Sequence, residues 1–199
     1  MPTADAIARM ENEAVEICRK LIQIDTTNYG GNKGAGEVEA AEYVAGLLQE
    51  VGLDAKIYES APGRANVLTR IPGADPALPA LVVHGHFDVV PAIAQDWSVD
   101  PFGAEIIDSM IWGRGAVDMK NMDAMIIAAI RHLQREKITP RRDLVIAFFA
   151  DEEAGGDYGA GWMVQNHPEL FAGATEAISE VGGFSVEING RRAYMLQKI

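Results

Sequence analysis

The side chains with the most chemical potential in this sequence collect directly after a continuous apolar run. The run, Leu144–Phe149, carries no charge and is typical of a strand that is buried on both faces of a sheet. Three adjacent carboxylates follow it, those of Asp151, Glu152 and Glu153. Neighbouring carboxylates repel one another, so placing them at the end of a buried strand is costly unless a cation or a proton-transfer role compensates. The stretch therefore predicts a metal site or a general acid/base.

A second candidate pair, His86 and Asp88, closes the apolar run that begins at Ala80. Residues two apart on extended backbone point to the same side, so Asp88 is placed to orient an imidazole whose other nitrogen binds a metal. The H-x-D pattern alone is equally compatible with two structural residues. His84 shares the parity but lies deeper in the strand, and we interpret it as a hydrogen-bonded structural histidine.

Two further carboxylates fall where loops meet predicted elements. Asp118 lies in the glycine-punctuated stretch WGRGAVDMK, directly before a predicted helix, and Glu180 ends a predicted strand. Alone, the first is equally a helix cap and the second a surface residue. A phosphate-binding loop is not indicated, because the G-x-x-x-x-G-K-[ST] pattern is absent. One histidine with several carboxylates suits a divalent metal site and a free base, and the set is His86, Asp118, Glu152, Glu153 and Glu180.

Alternating helices and strands must position these side chains. Apolar spacing predicts helices over residues 5–24, 37–51, 121–133 and 159–166. It predicts strands over 55–58, 65–71, 80–86, 144–149 and 174–179, with a hairpin over 184–188 and 191–196. We therefore predict an α/β fold, a mostly parallel central sheet with helices on both faces, whose sites gather beyond the carboxyl ends of the strands.

Composition and charge narrow the classes of partner. The chain has 199 residues, 48% of them hydrophobic, and a formal charge of −12, which argues against binding nucleic acid. No apolar run reaches the roughly 18 residues that span a bilayer, and the N-terminus has no secretory signal pattern, so we expect no membrane partner and a cytoplasmic location. The single cysteine, Cys18, falls at helical spacing among apolar residues and is interpreted as a packing residue.

Five ordered segments make the sequence similar to a known family. They are GHFDVVPA, W-x-x-DPF, GRGAVDMK, DEEAGG-x-x-GA and E-x-GGF. In this order they resemble the dinuclear zinc metallopeptidase and deacylase family, which includes aminoacylase, carboxypeptidase S, glutamate carboxypeptidase, acetylornithine deacetylase and succinyl-diaminopimelate desuccinylase. The resemblance covers essentially the whole chain. It implies a zinc-peptidase-like α/β/α fold and hydrolysis of amide bonds in small acylated amino acids or short peptides.

The resemblance also implies a ligand set for two zinc ions. His86 and Glu180 are expected to ligate one ion and Glu153 the other, while Asp118 bridges both. Cobalt or manganese is an expected substitute, because mixed nitrogen and oxygen sites accept several of these metals.

Two catalytic roles follow from the same resemblance. Glu152 is expected to act as the general base that takes a proton from the metal-activated water, and Asp88 as the partner that orients His86. A cis peptide bond is expected between Asp118 and Met119.

The sequence departs from the family in two substitutions and in extent. Asn121 and Val181 stand where glycine is usual. Family members run to about twice this size, with a lid domain, through which they dimerise, and a final zinc-binding histidine after this point. We therefore expect residues 1–199 to be the N-terminal part of the catalytic domain, without the lid and without the C-terminal catalytic segment.

Two alternative functions stay open at this point. The first is a truncated, non-catalytic chain that binds one metal ion or none and acts as an interaction module. The second is a magnesium-dependent phosphate enzyme on an α/β scaffold, which fits less well because magnesium prefers oxygen ligands and His86 offers nitrogen.

Overall fold

The computed structural model describes residues 2–180 and 183–196. The helices there are α1 (Ala4–Gln23), α2 (Val38–Gln49), α3 (Lys120–Arg135) and α4 (Ala160–Asn166). The strands are β1 (Lys56–Ala61), β2 (Arg64–Ile71), β3 (Ala80–His86), β4 (Glu105–Ile107), β5 (Met110–Trp112), β6 (Leu144–Phe149), β7 (Ala174–Ile178), β8 (Gly183–Ile188) and β9 (Arg191–Leu196). Each predicted helix and strand is present, with bounds shifted by a few residues.

The short hairpin of β4 and β5 was not predicted. Its strands are only three residues long and pair antiparallel, from Glu105 opposite Trp112 to Ile107 opposite Met110. The two residues between them, Asp108 and Ser109, both have positive φ, 50° and 64°. This is the backbone that a two-residue hairpin turn requires.

The central sheet is mixed, with a parallel core. Its strand order is β1-β2-β6-β3-β7, and β3 pairs in parallel with both β6 and β7. On the other side, β2 runs antiparallel to β6 and to β1. The predicted α/β class is confirmed, because the parallel strands lie at the centre and the antiparallel pair forms one edge.

Helices cover both faces of this sheet, as the continuous apolar run of β6 predicted. Ile146 and Phe148 pack with residues of α1, α2 and α3 in one buried cluster. Val145, Ala147 and Phe149 pack on the opposite side with Met163 of α4. Burial of each of the larger side chains contributes roughly 1.5–3 kcal/mol. Packing on both faces therefore stabilises β6, the strand that precedes the acidic turn at Asp151, Glu152 and Glu153.

The start of α3 is anchored to the end of α1 by one buried lysine. Lys120 is fully buried, and its Nζ atom donates to the carbonyl oxygens of Leu21 at 2.8 Å and Ile24 at 2.9 Å. Terminal carbonyls of a helix lack partners within it, so this contact satisfies them and fixes the loop that carries Asp118. Cys18 in α1 is buried, as its interpretation as a packing residue required. In the described part of the chain, none of the helices combines the length and apolarity needed to cross a lipid bilayer.

Candidate metal centre

The imidazole of His86 stands at the carboxyl end of β3 and is almost fully buried. Its Nδ1 atom lies 3.0 Å from the backbone carbonyl oxygen of Asp88 and 3.5 Å from the carboxylate Oδ1 of the same residue. Both neighbours are acceptors, so Nδ1 carries a proton. The other nitrogen, Nε2, therefore faces away from Asp88 and towards the candidate ligands.

Three carboxylates converge on Nε2 of His86. The nearest oxygens of Asp118, Glu180 and Glu152 lie 3.2, 3.6 and 3.7 Å from it. His86, Asp118 and Glu180 each offer a donor atom within 4.8 Å of the others, which forms a possible metal-binding group. Four residues predicted from separate stretches of sequence therefore meet at one point.

The donor set fits a divalent transition metal. Like charges gather here, and burial, with the charges of Asp118 and Glu152, raises the pKa of the Glu180 carboxyl. A divalent cation would compensate this repulsion, and one imidazole with several carboxylates is a set that zinc, cobalt or manganese accepts.

Glu153 is half-buried beside this group but lies outside it among the described residues. Burial raises the pKa of its carboxyl to about 7, and the charge of Asp118 adds to the effect. Its role as the ligand of a second ion stays a prediction.

Asp88 is a fully buried carboxylate that contacts both His86 and the backbone of Glu152 and Glu153. Its Oδ1 accepts from the backbone N–H of Glu152 at 2.9 Å, and its Oδ2 accepts from that of Glu153 at 3.1 Å. Burial opposes ionisation of Asp88, but His86, Asn28 and the Glu152 amide hold its pKa below the ordinary range. The carboxylate of Asp88 thus lies beside His86 and also holds the backbone of Glu152 and Glu153, while its role in orienting the imidazole stays a prediction.

The surrounding carboxylates also determine the protonation of His86. Burial acts to lower the pKa of His86, but the hydrogen bond to Asp88 and the charges of nearby acids outweigh it and raise the pKa to about 10. The metal-free imidazole is therefore charged at neutral pH. A metal ion that binds Nε2 must displace a proton.

Sequence reasoning missed Asn28 and treated Asp151 only as one of three carboxylates. Asp151 has a φ of 63°, a left-handed conformation that aspartate tolerates better than most residues. Its Oδ1 accepts from Asn28 Nδ2 at 2.9 Å and its Oδ2 from the N–H of Tyr158 at 3.1 Å. Asp151 thus fixes the conformation of the turn that carries Glu152 and Glu153. The sequence signal for this role was the position of Asp151 directly after a buried strand.

A carboxylate that the sequence did not single out, that of Asp123, lies on α3 behind β3. It is fully buried, and no described residue hydrogen-bonds either of its oxygens. Burial raises the pKa of Asp123 well above the ordinary value. Its Oδ1 rests against Gly85, where an added Cβ would stand only 2.0 Å away. Gly85 is therefore the residue that lets α3 approach the strand of His86.

Two further expectations have clear outcomes. The peptide bond between Asp118 and Met119 is cis, as the resemblance implied. His84 is half-buried and packs against Phe149, with ring centroids 5.4 Å apart. No hydrogen bond to its ring is found among residues 2–180 and 183–196, so the prediction of a hydrogen-bonded histidine is not met there. His84 lines a small pocket together with His86 and Glu152.

Comparisons with known protein sequences point in the same direction. Aminoacylase-1 of Sus scrofa is 32% identical over 163 residues, which make up 81% of this chain and 39% of that protein. The N-fatty-acyl-amino acid synthase/hydrolase PM20D1 of Mus musculus is 32% identical over 155 residues, 75% of this chain and 31% of that protein. The chain thus spans less than half the length of the curated relatives that it matches.

Solved structures show the same fold at lower identity. Human carnosine dipeptidase 1 superposes with a TM-score of 0.69 at 21% identity, over 90% of this chain and 41% of that one. The M20 family metallo-carboxypeptidase Sso-CP2 of Sulfolobus solfataricus gives a TM-score of 0.70 at 23% identity, over 86% and 38%. Residues 82–191, more than half of the chain, match the family described as Peptidase family M20/M25/M40, and the protein therefore belongs to that family.

Proposed function

We propose that this protein is a zinc-dependent hydrolase of amide or peptide bonds in acylated amino acids or short peptides. The observation that carries the proposal is the group of His86, Asp118 and Glu180, with the carboxylate of Glu152 beside it. An aminoacylase and a dipeptidase among the similar proteins support an amide substrate.

Different residues of this chain would ligate the two metal ions. His86, Asp118 and Glu180 would hold one zinc ion and Glu153 a second, with Asp118 shared between them. Bound zinc would lower the pKa of a coordinated water and polarise the scissile carbonyl. The contact between Asp88 and His86 Nδ1 keeps the imidazole turned so that Nε2 is presented to the ion. Cobalt or manganese would serve as substitutes.

Glu152 is the proposed general base. Its backbone N–H is held by Asp88, while its side chain is 45% exposed and reaches to 3.7 Å from His86 Nε2. A fixed backbone with a free carboxylate suits a group that takes a proton from the attacking water and passes it to the leaving amine.

The test is the substitution Glu152→Gln, which keeps the shape of the side chain but removes its basicity. We expect hydrolysis of N-acetyl amino acids and dipeptides to fall by about 10²–10⁴-fold, with zinc content unchanged. Glu42→Gln, on the exposed face of α2, is the matched control and should leave the rate unchanged. An unaltered rate in Glu152→Gln would remove the proposed base.

Zinc content distinguishes catalysis from the non-catalytic alternative. About two ions per chain after dialysis against metal-free buffer would support the full ligand set. A single weakly held ion, with no hydrolysis of any amide offered, would favour a metal-binding chain without activity.

We also propose that residues 1–199 are the N-terminal part of the catalytic domain of a longer hydrolase, with a lid domain and dimer contacts elsewhere in that protein. The alignment to 39% of Aminoacylase-1 supports this. The mass of the protein in its native cells tests it, and a value near 21.5 kDa would contradict it.

A further inference from the structure

The side chain of Asn28 lies where three segments of the candidate metal centre meet. Asn28 is only 4% exposed, and its amide makes four hydrogen bonds. The Nδ2 atom donates to Asp88 Oδ2 at 2.8 Å and to Asp151 Oδ1 at 2.9 Å. The Oδ1 atom accepts from Arg64 Nη2 at 3.0 Å and from the N–H of Gly30 at 2.9 Å. The hydrogen-bonding capacity of the amide is therefore fully used.

The side-chain amide of Asn28 reduces the repulsion between two neighbouring carboxylates. Asp88 and Asp151 are both buried, and two ionised carboxylates that share one site repel each other. Asn28 gives one N–H to each of them without adding a charge of its own. On the other side of the amide, the buried guanidinium of Arg64 points at Oδ1, which polarises the amide in the direction that strengthens both donated bonds.

Asp88 and Asp151 connect Asn28 to the residues of the candidate metal centre. Asp88 touches Nδ1 of His86 and accepts from the backbone amides of Glu152 and Glu153. Asp151 begins the turn in which those two residues lie. A shift of Asn28 would therefore move the acidic turn relative to β3.

We propose that Asn28 is a positioning residue that sets the separation between the imidazole of His86 and the acidic turn at Glu152 and Glu153. The positioning is a property of the metal-free chain. Only its consequence, tighter zinc binding, rests on the proposed function.

Amide hydrogen exchange of the metal-free chain tests the positioning directly. In Asn28→Ser we expect the protection of the Glu152 and Glu153 amides to fall by at least about tenfold relative to Phe148 in β6, because hydrogen bonds to charged groups are lost or weakened. In Asn28→Asp the fall should be larger, because a third carboxylate would meet the other two.

Asn32→Asp is the matched control. Asn32 is exposed and accepts from Arg64 Nε at 2.9 Å, so this substitution adds a carboxylate to the same guanidinium without touching Asp88 or Asp151. Its exchange pattern should match the wild type. Wild-type protection at Glu152 and Glu153 in Asn28→Ser would overturn the proposal, and so would an equal loss throughout β6.

Zinc affinity, measured by competition with a chromophoric chelator, gives the second readout. We expect binding to weaken by about 10–100-fold in Asn28→Ser, the range for changes behind a metal ligand, and to be unchanged in Asn32→Asp. Equal zinc affinity in Asn28→Ser and wild type would overturn the link from positioning to metal. A wild-type chain without zinc affinity would refute the proposed metal centre, while the exchange comparison would still decide the role of Asn28.

Discussion

The inner and outer halves of the candidate metal centre are built by different forces. The inner half is less than 5% exposed and joined by hydrogen bonds; it consists of Asn28, His86, Asp88 and Asp151. The outer half consists of Asp118, Glu152 and Glu180, whose side chains are 37–59% exposed and each place an oxygen near Nε2 of His86. Hydrogen bonds within the protein hold the inner half together, whereas the gathered charges of the outer half would favour binding of a cation.

The difference shows how the fold supports a group of candidate metal ligands. Burying polar groups is tolerable only when each has a partner, and the inner half meets that condition with side chains and backbone amides alone. Exposed carboxylates keep much of their hydration, so the side chains of the outer half contribute little to the stability of the fold. Changes to the two halves should therefore have different consequences for stability.

The largest effect is expected from Asp88→Ala. It leaves Asn28 and two backbone amides without their buried acceptor, and we expect the free energy of unfolding of the metal-free chain to fall by about 3 kcal/mol. Urea denaturation measures this. Asp54→Ala, which removes an exposed carboxylate that pairs with the exposed Lys56, should cost less than about 1 kcal/mol. Equal losses of unfolding free energy in Asp88→Ala and Asp54→Ala would contradict the distinction between the hydrogen-bonded inner half and an ordinary surface carboxylate.

An intermediate effect is expected from Gly85→Ala, which crowds the inner half from behind. The new Cβ would stand 2.0 Å from Asp123 Oδ1 and 3.1 Å from Met119 Cε. Such overpacking costs about 1–3 kcal/mol. Gly46→Ala in α2, where nothing lies within 4 Å of the added Cβ, is the control and should be neutral or stabilising.

Adding Asp123→Ala to Gly85→Ala should restore most of the lost stability, because it removes the clashing oxygen. A double variant as unstable as the single one would show that the clash with Asp123 is not the cause.

The smallest effect concerns pH and reports on the charges around the outer half. The folded-state pKa of Glu153 is about 7 against an ordinary 4.5, and that of His86 is about 10 against 6.5. Burial raises the pKa of Glu37 to about 7 as well, despite the charge of Arg64. Between about pH 5 and 8, the folded state thus binds more protons than the unfolded state, so stability must fall as pH rises.

We expect the melting temperature of the metal-free chain to fall by at least roughly 2–4 °C over this range. Calorimetry in the presence of a chelator measures it, and Glu153→Gln should flatten the slope below pH 7, while Glu42→Gln should keep it. A melting temperature that rises with pH would contradict the assigned charge states.

Features with a local signature were predictable from the sequence. The uncharged run Leu144–Phe149 predicted a strand covered on both faces, and apolar residues at helical spacing predicted α1 to α4. His86, Asp118 and Glu180 could be found because each follows or precedes a recognisable element, and parallel strands bring such positions to one edge. Their meeting within 4.8 Å therefore follows from topology.

Features that depend on distant partners were not predictable. Asn28 lies 60 and 123 positions from the two carboxylates that it joins, and a lone asparagine in a loop carries no sign of either. Asp123 contradicts the usual pattern, since a carboxylate on a helix is expected at the surface, whereas this one is buried with no hydrogen-bond partner among the described residues. The antiparallel pairing of β2 with β6 likewise joins elements that are far apart in the chain.

The alternation of residues at the end of β3 makes the centre sensitive to chain length. His84 and His86 face the side of the sheet that carries α4, while Gly85 between them faces α3 and receives the carboxylate of Asp123. The register with β6 places His86 opposite Phe149. A slip of a single residue along this ladder would exchange the two faces, so that the imidazole of His86 would point towards α3 and away from Asp118 and Glu180. An insertion or deletion of one residue within Ala80–His86 that shifts this register would therefore separate the nitrogen donor from the carboxylates, whereas a substitution leaves the register in place.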